Sequence, residues 1–266
     1  MSSMKWIRGG RVVTASEDFV GDVLIQGEQI VAIGSDLKRS IGVTGPCEEI
    51  DARGLLVMPG GIDVHTHLDL PFMGTASSDD FETGTQAALS GGTTSIIDFA
   101  IQTQGRSLAE AFSQWQEKAK GKAAIDYGFH MSVTDYNDRT MEEIPKMIEA
   151  GITSFKCFTA YKGSLMIDDG QLFRLMCQVR DLGGLVTLHA ENGDLITSQV
   201  ARFQKEGKTA PVWHERAHPA IGEGEATNRV ISLSRVAGHP TYIVHLTCDE
   251  ALHHVKDSVA RHRHPV

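Results

Sequence analysis

Two regimes of hydrophobic patterning meet near residue 56. Before it, short apolar runs are broken by turn residues. Asp22-Val23-Leu24-Ile25-Gln26 and Gln29-Ile30-Val31-Ala32-Ile33 flank Gly27-Glu28, the signature of a hairpin. Gly42, Gly45 and Pro46 predict a loop ahead of a further strand near Glu49-Ile50-Asp51. From Leu55 onward, apolar runs of strand length alternate with stretches of helical period, and strands are expected over 56–65, 94–99, 125–133, 152–158, 185–189 and 241–245. Two intervening helices have recognisable starts. Ser107 and Glu110 form a capping-box pattern ahead of a stripe of Leu108, Ala111, Phe112, Trp115 and Ala119. Asp168 and Gln171 open the other, with Leu172, Leu175, Met176 and Val179 on one face and Gly183-Gly184 at its close. Thr140 and Glu143 suggest a third start, which Pro145 blurs.

The division predicts a small β portion over 1–56 and a strand–helix domain over 57–266. Alternation of this kind implies a parallel sheet with crossover helices. Six strands suit an open doubly wound sheet or most of an eight-stranded barrel, and spacing alone leaves both open.

Composition narrows the class. The 266 residues are 41% hydrophobic, enough for a sizeable core. No run of about eighteen apolar residues suggests a membrane span, and Met1 to Trp6 does not read as a signal peptide, so a cytoplasmic location is expected. A net charge of −9 and a pI near 5.7 argue against a nucleic-acid partner, and the short basic tail Arg261-His262-Arg263-His264 does not reverse that. Cys47, Cys157, Cys177 and Cys248 have no CxxC spacing and are expected as reduced thiols.

The chemistry is carried by histidines. In Asp63-Val64-His65-Thr66-His67 the two imidazoles lie two apart, so on a strand both face one side and can address one ion. A bare HxH is a weak signal. This one ends a strand entered through Met58-Pro59-Gly60-Gly61-Ile62, at the mouth where barrel enzymes place their sites. His189 and His245 end later strands, and Lys156 sits near the end of another. A lone strand-end histidine is more often structural, but four histidines and a lysine at one sheet edge form a pattern. Lys156 has two readings: an ammonium paired with a carboxylate or anion, or a buried neutral amine that captures carbon dioxide as a carbamate able to bridge two cations. Elsewhere the ordinary readings prevail. Asp98 is assigned hydrogen bonding and His130 an interior role, while His214, His218 and His239 are placed in loops. His253, His254, His262 and His264 read as solvated. Glu191 and Asn192 are divided between ligand support and a helix start.

The segments 61–69, Ser154-Phe155-Lys156-Cys157-Phe158-Thr159-Ala160-Tyr161, His189-Ala190-Glu191-Asn192 and Val244-His245-Leu246-Thr247 together resemble the dihydropyrimidinase/hydantoinase branch of the amidohydrolase superfamily. The resemblance implies an α/β fold: a TIM-like (β/α)8 metal-dependent hydrolase barrel, incomplete at about six of eight strands, with a small N-terminal β-sandwich portion. It implies two Zn2+ ions, one on His65, His67 and carboxylated Lys156, the other on Lys156, His189 and His245. Tyr161 would polarise the substrate carbonyl, and Leu70, Phe72 and Leu165 would gate the substrate's exocyclic group. A bridging hydroxide would open the cyclic amide ring of a dihydropyrimidine or hydantoin, giving an N-carbamoyl amino acid. The implied partners are a small cyclic diamide and further copies of the chain in a homotetramer.

The family's remaining aspartate ligand is expected after an eighth strand, beyond Val266, so turnover by this polypeptide is expected only if the missing part is supplied elsewhere. Allantoinase, dihydroorotase and a non-catalytic interaction protein remain as alternatives. A dihydroorotase would place an arginine just after HxH, where this chain has Leu68-Asp69-Leu70-Pro71-Phe72.

Overall fold

A computed structural model describes residues 4–35, 37, 46–72 and 74–266. They form two compact units, Met1–Gly61 and Ile62–Val266. The expected loop at Gly42 and Gly45 lies outside the described residues.

The first unit is a sheet of five strands: β1 (Met4–Val13), β2 (Asp18–Gln26), β3 (Gln29–Gly34), β4 (Cys47–Asp51) and β5 (Leu56–Val57). The predicted hairpin forms, with Gln26 opposite Gln29 across the Gly27-Glu28 turn. A bulge interrupts the β1–β2 register between Ile7 and Gly10. There Gly9 takes φ +65°, cheap only for glycine, and its N–H donates to Asp22 Oδ1 at 2.8 Å. Trp6, Leu24 and Leu37 make the small core.

The single strand expected over 56–65 is two strands. Leu56 and Val57 pair in parallel with Arg11 and Val12 of β1, whereas β6 (Gly61–Thr66) joins a different sheet. Pro59 lies between them. It offers no N–H to a ladder, so a break there is physically reasonable.

The second unit continues with β7 (Pro71–Phe72), β8 (Thr75–Ala76), α1 (Phe81–Ser90), β9 (Thr93–Ile101), α2 (Leu108–Ala119) and β10 (Asp126–Ser132). Then come α3 (Asp138–Glu149), β11 (Ser154–Phe158), α4 (Asp169–Asp181) and β12 (Leu185–His189). It closes with α5 (Gly193–Lys205), α6 (Val212–Ala217), α7 (Ala220–Ala237), β13 (Thr241–Ile243) and α8 (Asp249–His262). The main sheet runs β13-β12-β11-β10-β9-β6, with β9 through β13 paired in parallel. It is a curled half-barrel of six strands.

Strand registry sorts the side chains onto two faces. Met131 pairs with Phe155, and Cys157 with Leu188; all four are fully buried in the core under the helices. The alternate positions, His130 beside Phe99 and Lys156 beside both Ser132 and Thr187, turn to the other face. The predicted helix stripes supply the other half of the core. Leu172, Leu175, Met176 and Val179 of α4 are all buried, as are Leu108, Ala111, Trp115 and Ala119 of α2. Both predicted capping boxes form.

The third helix starts earlier than Thr140. Asn137 is its N-cap, accepting from the Thr140 N–H at 3.1 Å. Pro145 lies inside this helix and cannot bond back to the Met141 carbonyl. Gln178 of α4 substitutes, donating to Met141 O at 2.7 Å while its own oxygen accepts from Tyr136 OH at 2.9 Å. Among the described residues no helix is long and apolar enough to cross a membrane.

Candidate metal centre

The four candidate imidazoles and Lys156 come from four strands at one end of the sheet. His65 belongs to β6 and His67 follows it; their ring centroids are 5.1 Å apart. His65 lies 5.4 Å from His245, and His245 lies 4.7 Å from His189, the last residue of β12. β13 stops at Ile243 rather than 245. His245 instead takes φ +36°, a left-handed conformation costly for a side-chain-bearing residue.

Lys156 is 1% exposed, at the centre of β11. Its Nζ lies 5.1 Å from the Phe99 ring centroid and 4.7 Å from that of Phe158. Phe99 also contacts His65 at 4.7 Å and stacks on His67 at 4.8 Å. It is the shared floor of lysine and HxH, a role that no local sequence pattern marks. Its place on the alternation of β9, beside Asp98, was the only signal available.

Burial pushes the Lys156 amine down to about 8. Burial, followed by the positive field of Lys156, also depresses His65 and His67, each to about 4. For His245, also about 4, burial leads, followed by His189 and Lys156. The three imidazoles are therefore neutral at pH 7 and can offer lone pairs. Their exposure differs: His65 is half-buried, while His67 and His245 are more open.

His189 is oriented from behind. Its Nε2 lies 2.5 Å from Glu191 Oε2 and its Nδ1 lies 3.1 Å from His245 Nε2. Burial is the largest influence on Glu191 and opposes its charge, but the His189 hydrogen bond together with the fields of His189, His218 and His245 holds the carboxyl below its usual range. From the sequence alone, Glu191 and Asn192 divide between ligand support and a helix start. The structure splits the roles: Asn192 caps α5, accepting from Leu195 N at 2.9 Å, and Glu191 grips the imidazole.

The loop after HxH is pinned at several points. Buried Asp98 accepts from Thr66 Oγ1 and Leu68 N through Oδ2, both at 2.8 Å, and from Phe99 N through Oδ1 at 2.7 Å. Burial still raises its pKa, against these bonds. Asp69, at φ +49°, donates its N–H to Asp79 O, and its carbonyl accepts from Lys118 Nζ at 2.5 Å. Leu70 N bonds Ser77 Oγ at 2.8 Å, so the short β7–β8 hairpin carries Phe72 to an edge-on contact with Tyr161, 5.8 Å between centroids.

Tyr161 follows β11 at φ +64° and lies 5.2 Å from the His189 ring. Its carbonyl accepts from Ser164 N and Leu165 N, both at 3.0 Å, which closes the turn. Leu165 is thus tied to Tyr161 through backbone, whereas Leu70 packs against the main core. Thr159 stitches this turn to the one after His189: its hydroxyl donates to Glu191 O at 2.7 Å, and its carbonyl accepts from Gly193 N at 3.1 Å. A Cβ at Gly193 would stand 2.9 Å from Thr159 O and from Ala160 Cα, so this approach needs glycine. Burial, with Glu191 second, raises the Tyr161 phenol and keeps it protonated.

Other histidines lie apart from this group in role. His130 is an interior residue with both ring nitrogens engaged. His214 belongs to α6 and His218 caps it, rather than lying in open loop. His239 is fully buried. Among the described residues, no three His, Cys, Asp or Glu side chains form a metal-holding group by themselves. The imidazoles form a row, His67, His65, His245 and His189, with neighbouring ring centroids 5.1, 5.4 and 4.7 Å apart.

A family model described as "Amidohydrolase family" matches residues 56–245. The chain is 46% identical over 255 residues to a D-hydantoinase of Geobacillus stearothermophilus, covering 96% of this chain and 53% of that protein. It is 43% identical over 253 residues to a dihydropyrimidinase of Rattus norvegicus, covering 95% and 49% respectively. Among solved structures, the dihydropyrimidinase of Brevibacillus agri NCHU1002 superposes with a TM-score of 0.93 at 48% identity, over 97% of this chain and 55% of that one. The chain spans about half the length of the curated relatives it matches.

Proposed function

The chain belongs to the amidohydrolase family, and we propose that it supplies five protein ligands of a two-zinc site that opens the cyclic amide ring of a dihydropyrimidine or hydantoin. His65, His67 and Lys156 would hold one ion; Lys156, His189 and His245 the other. Lys156 would serve both as a carbamate, since an ammonium would repel the cations.

The observation that carries this reading is the 3.1 Å between His189 Nδ1 and His245 Nε2. Two imidazoles on one tetrahedral zinc, with bonds of about 2.05 Å, place their nitrogens roughly 3.3 Å apart. Glu191 occupies the far nitrogen of His189, which leaves Nδ1 to present its lone pair. A second support is the setting of Lys156. It lies in register between Ser132 and Thr187, whose buried hydroxyls have no hydrogen-bond partner among the described residues. Such hydroxyls suit an oxygen-bearing group on the lysine.

When bound, the ions supply Lewis acidity and lower the pKa of water to about 7, giving a nucleophile at neutral pH. The chain's own residues do the rest. The protonated Tyr161 donates to the substrate carbonyl oxygen and holds the negative charge that develops there. Phe72, edge-on to Tyr161, offers an apolar wall to an uncharged ring. The ring nitrogen released on opening becomes the carbamoyl nitrogen of an N-carbamoyl amino acid. This activity, like the substrate class, is proposed for the protein as a whole.

The test is hydrolysis of dihydrouracil and of hydantoin by the zinc-loaded whole protein, this chain together with the part that supplies the remaining aspartate ligand, prepared in bicarbonate and followed by ultraviolet absorbance. Ring opening is expected, with Tyr161→Phe about 100-fold slower in kcat. Two bound zinc ions with no turnover of either ring would contradict the proposed reaction.

A further inference from the structure

We infer that His130 is a positioning residue for the metal ligands, a strut across the inside of the curled sheet that fixes the strand of His65 against the strand of Lys156. The inference rests on the proposed function for what is positioned, and on geometry for the strut itself.

His130 lies on β10, which is not adjacent to β6 in the sheet, because β9 intervenes. Its Nε2 nevertheless lies 2.9 Å from the carbonyl oxygen of Val64. A carbonyl only accepts, so Nε2 carries the proton. Nδ1 of the neutral ring then accepts from Ser154 Oγ at 2.5 Å. One imidazole thereby joins three strands: β6 at the peptide that enters His65, its own β10, and β11 two residues before Lys156. Its face contacts Phe99, 4.7 Å between centroids, and Phe99 is the ring beneath Lys156, His65 and His67.

A bond reaching over an intervening strand is possible only on the concave side of a curved sheet, so its length sets local curvature. β6 is an edge strand, laterally paired only through β9 in this sheet. The His130 bond is its tie from inside. Curvature in turn sets the separation between the HxH imidazoles and the Lys156 amine, which must agree within a few tenths of an ångström for both to serve one ion.

The two ring nitrogens can be separated by substitution. A glutamine amide nitrogen reaches the place of Nε2 and can still donate to Val64 O; an asparagine amide reaches only the place of Nδ1. His130→Phe keeps the ring volume and loses both bonds. Hydrogen–deuterium exchange of the peptide spanning residues 61–67, measured by mass spectrometry on the metal-free 266-residue chain, tests the strut without a metal. Exchange should quicken about fivefold in His130→Asn and His130→Phe, the factor for one net hydrogen bond, and stay near wild type in His130→Gln. Equal exchange in all three variants and wild type would overturn the inference.

Zinc competition against a chromophoric chelator tests the consequence. Affinity should fall 10–100-fold in His130→Asn and His130→Phe and be rescued in His130→Gln. Unchanged zinc affinity in the asparagine and phenylalanine variants, beside faster exchange, would overturn the positioning role and leave a strut that serves the fold alone. A wild-type chain that binds no zinc would overturn the proposed function, while the exchange measurement still decides the strut.

Discussion

His189 Nδ1 and His245 Nε2 face each other across 3.1 Å although their residues are 56 apart in the chain. One imidazole ends β12 and the other sits just past β13, turned inward by a left-handed backbone. Without a metal, one of the two nitrogens must carry the proton between them. With one, both would be lone pairs on a shared cation, and whatever fixes the His189 tautomer contributes to affinity.

Glu191 is that fixing group. Glu191→Ala should weaken zinc binding 10–100-fold, because His189 is then free to place its proton on Nδ1. Glu191→Gln should lose less, since its amide oxygen still accepts from Nε2–H. Competition titration with a chelator reads both. Equal affinity in wild type and the alanine variant would remove Glu191 from the site.

Lys156 should show a pH dependence of its own. Carbon dioxide reacts with the neutral amine. With the pKa pushed down to about 8, roughly a tenth of the chains have a neutral Lys156 at pH 7, against well under a thousandth for an ordinary lysine. With dissolved carbon dioxide held constant by adjusting bicarbonate at each pH, carbamate-dependent zinc loading should therefore rise close to tenfold per pH unit below pH 8 and level off above it. The rate of loading between pH 6.5 and 9 checks this, and Lys156→Ala should abolish the bicarbonate dependence. Loading that ignores bicarbonate would contradict the carbamate.

Much of this was legible in the sequence because the signals were local. Ser107 with Glu110 and Asp168 with Gln171 fixed two helix starts through side chains three residues apart, and the α4 stripe fell into the core position by position. The five candidate ligands stood out by strand-end placement. What escaped depended on distant partners. The break at Pro59 follows from Leu56 and Val57 pairing with β1, some 45 residues earlier. Nothing near Thr140 revealed that Asn137 would be the cap, since Asp135, Asn137 and Asp138 are all competent. The left-handed backbones of Tyr161 and His245 occur at residues that do not favour them and are held by tertiary contacts. Phe99 as the shared floor exists only once β6, β9 and β11 curl together.

Acid should destabilise the metal-free protein earlier than its carboxylates alone would. His65, His67 and His245 have folded pKa values near 4, below the ordinary 6.5. Between those values the unfolded chain takes up protons that the folded chain refuses, so stability is whole above about pH 6.5 and is lost as pH falls toward 4. The better shielded His65 should dominate. Urea midpoints at pH 7, 5.5 and 4.5 should fall in that order, and His65→Gln should flatten the fall. A level profile down to pH 4.5 would show that the imidazoles are freely solvated.

Asp98 ties the turn that presents HxH. Asp98→Ala strands the Leu68 and Phe99 amides and the Thr66 hydroxyl in a buried setting and should cost about 3 kcal/mol, seen in chemical denaturation. Asp98→Asn keeps an acceptor oxygen and should lose less. Wild-type stability in Asp98→Ala would mean that the carboxylate's hydrogen bonds contribute nothing to this turn.

The most direct test of the two-ion site is anomalous X-ray diffraction at the zinc edge from crystals grown in zinc and bicarbonate. Two peaks are expected on either side of Lys156, one beside His65 and His67, the other beside His189 and His245. Zinc found only at the histidines of the last helix, or absent from the strand ends, would contradict the two-ion site.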